Sequence, residues 1–178
     1  FIGPPLHESY EKFYSFSREQ AMQAVSYYRE YYEEKGMFEN EVYPGIKQLL
    51  RDLIKQGVLC LVATSKPEIY AKKILDYYEL SNYFYYIAGA NMDGTRTDKA
   101  EVIAYALKQI PAEYSNKKVL MVGDRSHDII GAKKNGIDCA GVLFGYGSRE
   151  ELEEAGADFI ADSVEAVRNI VFLNVAKN

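Results

Sequence analysis

No stretch of this sequence is apolar for long enough to cross a bilayer: runs such as Val58–Ala63 fall far short of the roughly 20 residues a spanning helix needs. No basic segment followed by an apolar one opens the chain, so a targeting signal is not expected and the protein is read as cytoplasmic. Cysteine is scarce. Cys60 and Cys139 each sit in an apolar, strand-like run with no paired spacing and no histidine nearby. That excludes a metal clip or a redox motif, and the expectation is two buried, reduced, inert thiols. An excess of positive charge is missing too: 21 Lys and Arg against 26 Asp and Glu give a formal charge of -5, so a nucleic-acid partner is not expected. Nor is there a repeat, a low-complexity segment or a sign of a protein partner.

What is present is an ordinary globular composition, 48% hydrophobic and 26% charged over 178 residues. That is enough for one domain or for a small core carrying a modest insertion. The first 42 residues have tyrosines and charges at helical spacing and no strand-like run. Ser17 and Gln20 have capping-box spacing, followed by Ala21, Ala24, Val25, Tyr28 and Tyr32 along one face, which predicts a helix with that stripe as its core. Beyond Tyr43-Pro44-Gly45 the texture alternates. Helices are expected at 46–56, 70–78, 99–109, 129–134, 150–155 and 164–175, and strands at 58–63, 85–88, 119–122, 139–144 and 159–161. Alternation of this kind predicts a doubly wound parallel α/β sheet, a Rossmann-like core at 43–178, with a small helical unit at 1–42.

In such a sheet ligands bind beyond the carboxyl ends of the strands, so the residues following each apolar run carry the chemistry. Val119–Val122 runs into Gly123-Asp124-Arg125-Ser126-His127-Asp128, which places two carboxylates four residues apart where strand hands over to helix. Magnesium suits them, since it takes a few carboxylates plus water and phosphate oxygens. Val58–Ala63 ends in Thr64-Ser65-Lys66-Pro67-Glu68. Ser65 and Glu68 have capping-box spacing there, and the hydroxyls of Thr64 and Ser65 at a helix N-terminus form an anion site. Lys99 opens another helix, where the dipole disfavours a cation and an anionic partner would resolve the conflict.

In order and separation, these signals resemble motifs two, three and four of the haloacid dehalogenase superfamily over nearly the whole chain. Thr64 then stands for the phosphate-binding hydroxyl, Lys99 for the lysine neutralising nucleophile and phosphate, and Asp124 and Asp128 for the magnesium carboxylates. The phrases Val62-Ala63-Thr64-Ser65-Lys66-Pro67, Gly123-Asp124-Arg125-Ser126-His127-Asp128 and Gly145-Tyr146-Gly147-Ser148 resemble the phosphoglycolate-phosphatase-like branch. The resemblance implies that residues 1–42 are the latter part of a helical cap. It makes Phe1–Leu6 a substrate-facing loop, with Gly3 and the paired prolines shaping a rigid turn that presents amides to substrate.

The family nucleophile belongs to an Asp-x-Asp-x-Thr motif ending a central strand upstream of the cap, and no Asp-x-Asp occurs in this sequence. Asn91-Met92-Asp93-Gly94-Thr95 copies the tail of that motif but carries an amide where the carboxylate belongs, and it falls where the family has a loop. The expectation is an incomplete sequence whose missing strand splits the sheet between the strands ending at Thr64 and Gly123. The intact protein is then expected to hydrolyse small phosphate monoesters through an aspartyl-phosphate with Mg2+. A phosphosugar mutase built from the same parts and a non-catalytic module binding magnesium and phosphate remain open beside it.

Overall fold

The computed structural model describes residues 6–175. The chain divides between Glu41 and Val42 into two compact units. In the first unit, α1 (Leu6–Tyr14), α2 (Arg18–Glu34) and a 3-10 turn (Gly36–Phe38) are the described elements. The capping box forms as expected: Ser17 Oγ accepts from Gln20 N at 3.2 Å, and Gln20 Oε1 accepts from Ser17 N at 2.9 Å. Ala21 and Val25 are buried together with Met37. The aromatic end of the stripe departs from the expected core role. Tyr28 and Tyr32 stack on each other with ring centroids 5.4 Å apart, and Tyr28 remains exposed. Stacking covers only one ring face.

The second unit alternates helix and strand. Its elements are α3 (Ile46–Lys55), β1 (Leu61–Pro67), α4 (Glu68–Tyr77), β2 (Tyr86–Ala90), α5 (Lys99–Leu107), β3 (Leu120–Gly123), α6 (Ser126–Lys134), β4 (Asp138–Val142), α7 (Arg149–Glu154), β5 (Phe159–Ala161) and α8 (Val164–Val175). Every strand pair is parallel: β1 with β2, β3 with β4, and β4 with β5. The sheet is nevertheless split. Among the described residues β1-β2 form one sheet and β3-β4-β5 another, so β1 and β3 each have one edge without a ladder partner.

Helices hold the halves together. α5 packs on β1 and β2 and against α6, which packs on β3 and β4; α3 packs on α8, which covers β5. One apolar cluster joins Leu49 and Leu53 of α3 to Val142, Ala161 and Val167, and a second gathers Ile129, Ala132, Cys139 and Leu152 around β4. Between β1 and β3 lies a cavity of about 570 Å³, walled by Leu61–Ala63, Leu120–Val122, Leu49 and Leu53 of α3, Ile103 of α5 and Val167 of α8. Interiors of folded proteins hold few voids larger than one water, so this is a slot and not ordinary core. The strands beside it are correspondingly less buried than their outer neighbours. Val122 is 38% exposed, whereas Ala88 of β2 and Cys139 and Ala140 of β4 are fully buried.

Two local expectations need correction. The first strand begins later and runs further than its apolar residues, through Thr64, Ser65, Lys66 and Pro67, with an irregular register between Ala63 and Pro67. In consequence the Ser65–Glu68 capping box does not form. Pro67 is the N-cap of α4 with no side-chain cap, and the Glu68 carboxylate turns instead to Gly89 N, Arg96 and Lys72.

Candidate active site

Lys99 is the hinge of the site. α5 starts at this residue because Asp98 caps it, accepting from Ala100 N at 2.9 Å and Glu101 N at 3.3 Å. The Lys99 ammonium then reaches across the mouth of the slot. Its Nζ donates to the Ala63 carbonyl of β1 at 3.1 Å and lies 2.9 Å from Asp128 Oδ1 at the start of α6. The anionic partner that its position on the helix calls for is thus Asp128, and the pair is largely buried, at 15% and 8% side-chain exposure.

Asp128 does more than pair. Its Oδ2 accepts from the amides of Asp124 and Arg125, both at 3.1 Å, which satisfies donors that the N-terminus of α6 would otherwise leave orphaned. Gly123 makes room for this. A Cβ there would fall 2.3 Å from Asp128 Cβ and 2.5 Å from Oδ2, so any other residue would push the carboxylate out of place. Asp124 follows β3 with its own carboxylate held by one bond, Oδ2 accepting from Tyr146 N at 2.8 Å. Its Oδ1 has no partner among the described residues.

The structure therefore brings together the Ala63 carbonyl inside β1, Lys99, Asp128 and, just beyond the carboxyl end of β3, Asp124. Thr64 Oγ1 accepts from Lys66 N at 3.2 Å inside the irregular end of β1. Ser65 lies on the same strand end, and no helix terminus begins there. Gly3 lies outside the described residues. Among the described residues no group of three or more His, Cys, Asp and Glu comes together as a metal cage. The donor set still suits magnesium in kind: one hard carboxylate oxygen available at a strand end, with the remaining positions left for water and phosphate oxygens.

The sequence pattern of the haloacid dehalogenase-like hydrolase family matches residues 1–142. The chain belongs to that family. It is 39% identical over 173 residues to a 5'-nucleotidase of Pseudomonas aeruginosa, covering 96% of this chain and 76% of that protein. It is 38% identical over 159 residues to the tyrosine-protein kinase PtkA of Mycobacterium tuberculosis, covering 89% of this chain but only 53%, about half, of PtkA. A putative phosphatase from Clostridium difficile superposes with a TM-score of 0.86 at 49% identity, over 96% of this chain and 79% of that one. More distant relatives in Vibrio carry the name phosphoglycolate phosphatase, the branch that the motif phrases resemble.

Several side-chain clusters of the core unit have no signal in the sequence alone. The Asn91–Thr95 segment is a loop, as expected, closed by Asp93 Oδ1 accepting from Thr95 N at 2.9 Å. Arg96 anchors it in a left-handed conformation (φ 54°): Nε donates to the Gly89 carbonyl at 2.7 Å, one Nη lies 3.2 Å from Glu68, and the guanidinium covers the Tyr105 ring at 3.7 Å. Tyr105 in turn bonds Tyr86, whose phenol is pushed up to about 12, first by that bond and then by burial. Glu151 is the other omission. Ser148-x-x-Glu151 has capping-box spacing, and Ser148 does cap α7 by accepting from Glu151 N. The Glu151 carboxylate, however, goes to Ser126 N at 2.8 Å and Arg125 Nε at 2.9 Å, and the Ser126 amide first, then the guanidinium, pull it down to about 2. Of the two thiols expected to be buried, Cys139 is and Cys60 is only partly so; burial nevertheless pushes both up, which keeps them protonated.

Proposed function

We propose that the intact protein is a magnesium-dependent phosphate-monoester hydrolase of the cytoplasm acting on small phosphorylated metabolites. The observation that carries this reading is the Lys99 ammonium held between the Ala63 carbonyl of β1 and Asp128, beside Asp124 just beyond the carboxyl end of β3. A buried cation and two carboxylates at such a crevice suit a dianionic phosphate and a divalent ion.

The slot supports the rest. Two unpaired parallel edges with an apolar cavity between them suit one further extended strand, which would restore the ladder bonds of β1 and β3. The family's Asp-x-Asp-x-Thr strand, expected upstream of this sequence, fills that place in our reading and delivers its first carboxylate to the mouth where Lys99 sits. That carboxylate attacks phosphorus as the ester P–O bond breaks, and the second aspartate protonates the departing alkoxide. Water then attacks the aspartyl-phosphate, with the same aspartate taking its proton, to release inorganic phosphate. Lys99 stabilises the charge shared by nucleophile and phosphoryl oxygens, and Thr64 and Ser65 bind a phosphate oxygen. Magnesium, when bound, would neutralise phosphoryl charge; Asp124 would hold it, and Asp128, committed to Lys99 and two amides, would act on it indirectly. Residues 1–42 serve as the cap.

Nucleoside 5'-monophosphates, phosphoglycolate and sugar phosphates are the candidate substrates, the first suggested by the 5'-nucleotidase relative. Phosphate release from such a panel by the full-length gene product, with magnesium, tests the reading. Release from at least one class is expected, and no release from any class refutes it.

A further inference from the structure

Asp124 holds its geometry through one short segment that contains neither of the motif carboxylates. Residues 145–151 fold against it in three ways. The Tyr146 amide bonds Asp124 Oδ2 at 2.8 Å. The two flanking glycines leave room for Asp124 itself, since a Cβ on Gly145 would lie 2.3 Å from Asp124 Cβ and one on Gly147 would lie 2.1 Å from the Asp124 carbonyl oxygen. Glu151, at the far end of the segment, bonds the two residues that follow Asp124: Arg125 through Nε at 2.9 Å and Ser126 through its amide at 2.8 Å.

We infer that Glu151 is a positioning residue for the metal carboxylate, clamping Arg125 and Ser126 so that Asp124 Oδ1 stays aimed at the cation. This rests on the reading of Asp124 as the magnesium ligand. The physical case is one of division of labour. Asp128 satisfies the amides of Asp124 and Arg125 but is also drawn toward Lys99 through its other oxygen. The next amide, Ser126, is left to Glu151, which comes from a different helix 25 residues away. The turn carrying Asp124 is thereby fixed from two sides: by Asp128 on α6 itself and by Glu151 from α7. A carboxylate at a helix N-terminus with a charge-assisted bond to Arg125 makes a stiff tether. Ser148 fixes the Glu151 backbone by capping α7, so the tether has a rigid base.

Outer-shell partners of metal ligands typically govern affinity by ten- to a hundredfold. The test is binding of Mn2+, an EPR-visible substitute for magnesium, to the full-length gene product and three variants. Glu151→Gln keeps the shape and removes the charge, and is expected to weaken Mn2+ binding about tenfold or more. Glu153→Gln removes the same charge from an exposed position paired, among the described residues, with Arg149 on α7, and should stay within about twofold. Asp124→Asn should abolish specific binding. If Asp124→Asn loses binding while Glu151→Gln binds like the parent, the positioning role is refuted and the metal reading stands. If Asp124→Asn binds like the parent, both are refuted. Should Glu151→Gln melt below the working temperature, Arg125→Met removes the partner from the other side. A several-fold loss of Mn2+ affinity there supports the clamp, and parent-like affinity overturns it.

Discussion

The Lys99 ammonium lies 2.9 Å from Asp128 Oδ1, joining the first turns of α5 and α6 across the mouth of the slot. Because both groups are mostly shielded from water, neither is free to lose its partner cheaply. Lys99→Ala leaves a buried carboxylate uncompensated and should cost about 3 to 5 kcal/mol, measured by denaturant unfolding, where a solvated surface lysine would cost less than roughly 0.5. The double variant Lys99→Met with Asp128→Asn should recover part of that loss, since it removes the buried charges together and leaves a side-chain oxygen to accept from the backbone amides of the α6 turn. Parent-like stability of Lys99→Ala would show the pair to be incidental.

Gly123→Ala should act on the same carboxylate from below. The added methyl collides with Asp128 Cβ and Oδ2, so Asp128 must leave the amides of Asp124 and Arg125. Two orphaned amides and a displaced ion pair amount to about 1 to 3 kcal/mol for each unsatisfied group. Thermal unfolding with and without magnesium reads this, and a melting temperature unchanged from the parent would contradict it.

Asp124 and Asp128 should separate by function. Asp124→Ala is expected to abolish turnover of the full-length protein, because no other described carboxylate oxygen stands free at the strand end. Asp128→Asn should lower turnover less while costing stability, since an amide can still accept one backbone bond but cannot hold the Lys99 charge. Steady-state rates at saturating magnesium check the order, and equal activity of Asp124→Ala and parent would refute it.

Glu151 predicts a pH dependence of stability. Its carboxyl is held near 2 in the folded protein against an ordinary value of 4.5. The stabilisation from a lowered carboxyl is complete above the unfolded value and is lost as pH falls through the folded one. The stability gap between parent and Glu151→Gln should therefore be constant from pH 7 to about 5 and narrow between pH 4.5 and 2 in urea unfolding. A gap that widened toward acid would reverse the assigned sign.

Periodicity and capping chemistry made most helices legible in the sequence, and the reasons are local. Ser17 and Gln20 announce α2 because both partners of the capping box lie within one turn. The strands of the core follow from apolar runs, and the split of the sheet follows from a motif that is not there. What escaped was set by distance along the chain or by geometry without a composition signal. The end of β1 departs from the sequence expectation because Ser65-x-x-Glu68 spells a cap, yet the strand pairs with β2 as far as Pro67 and Glu68 finds better partners in Gly89 and Arg96. Glu151 was hidden for a related reason: its spacing from Ser148 explains its backbone bond, while its side chain serves residues that only the fold brings near. The partner of Lys99 was anticipated as an anion, but its identity as Asp128 requires α5 and α6 to pack together. Asn135 helps secure that contact, donating to the Ala100 carbonyl at 3.0 Å.

The most direct test of the central claim is the turnover of a generic aryl phosphate by the full-length gene product and its Lys99→Ala variant, with magnesium present. A preorganised cation at a phosphoryl-transfer site acts chiefly on the transition state, so Lys99→Ala is expected to lower kcat by about a hundredfold or more in protein that remains folded. Lys99→Arg should not restore it, because a planar guanidinium cannot place its charge at once on Asp128, the Ala63 carbonyl and a phosphoryl oxygen as a compact ammonium can. Near-parent kcat in folded Lys99→Ala would contradict the account.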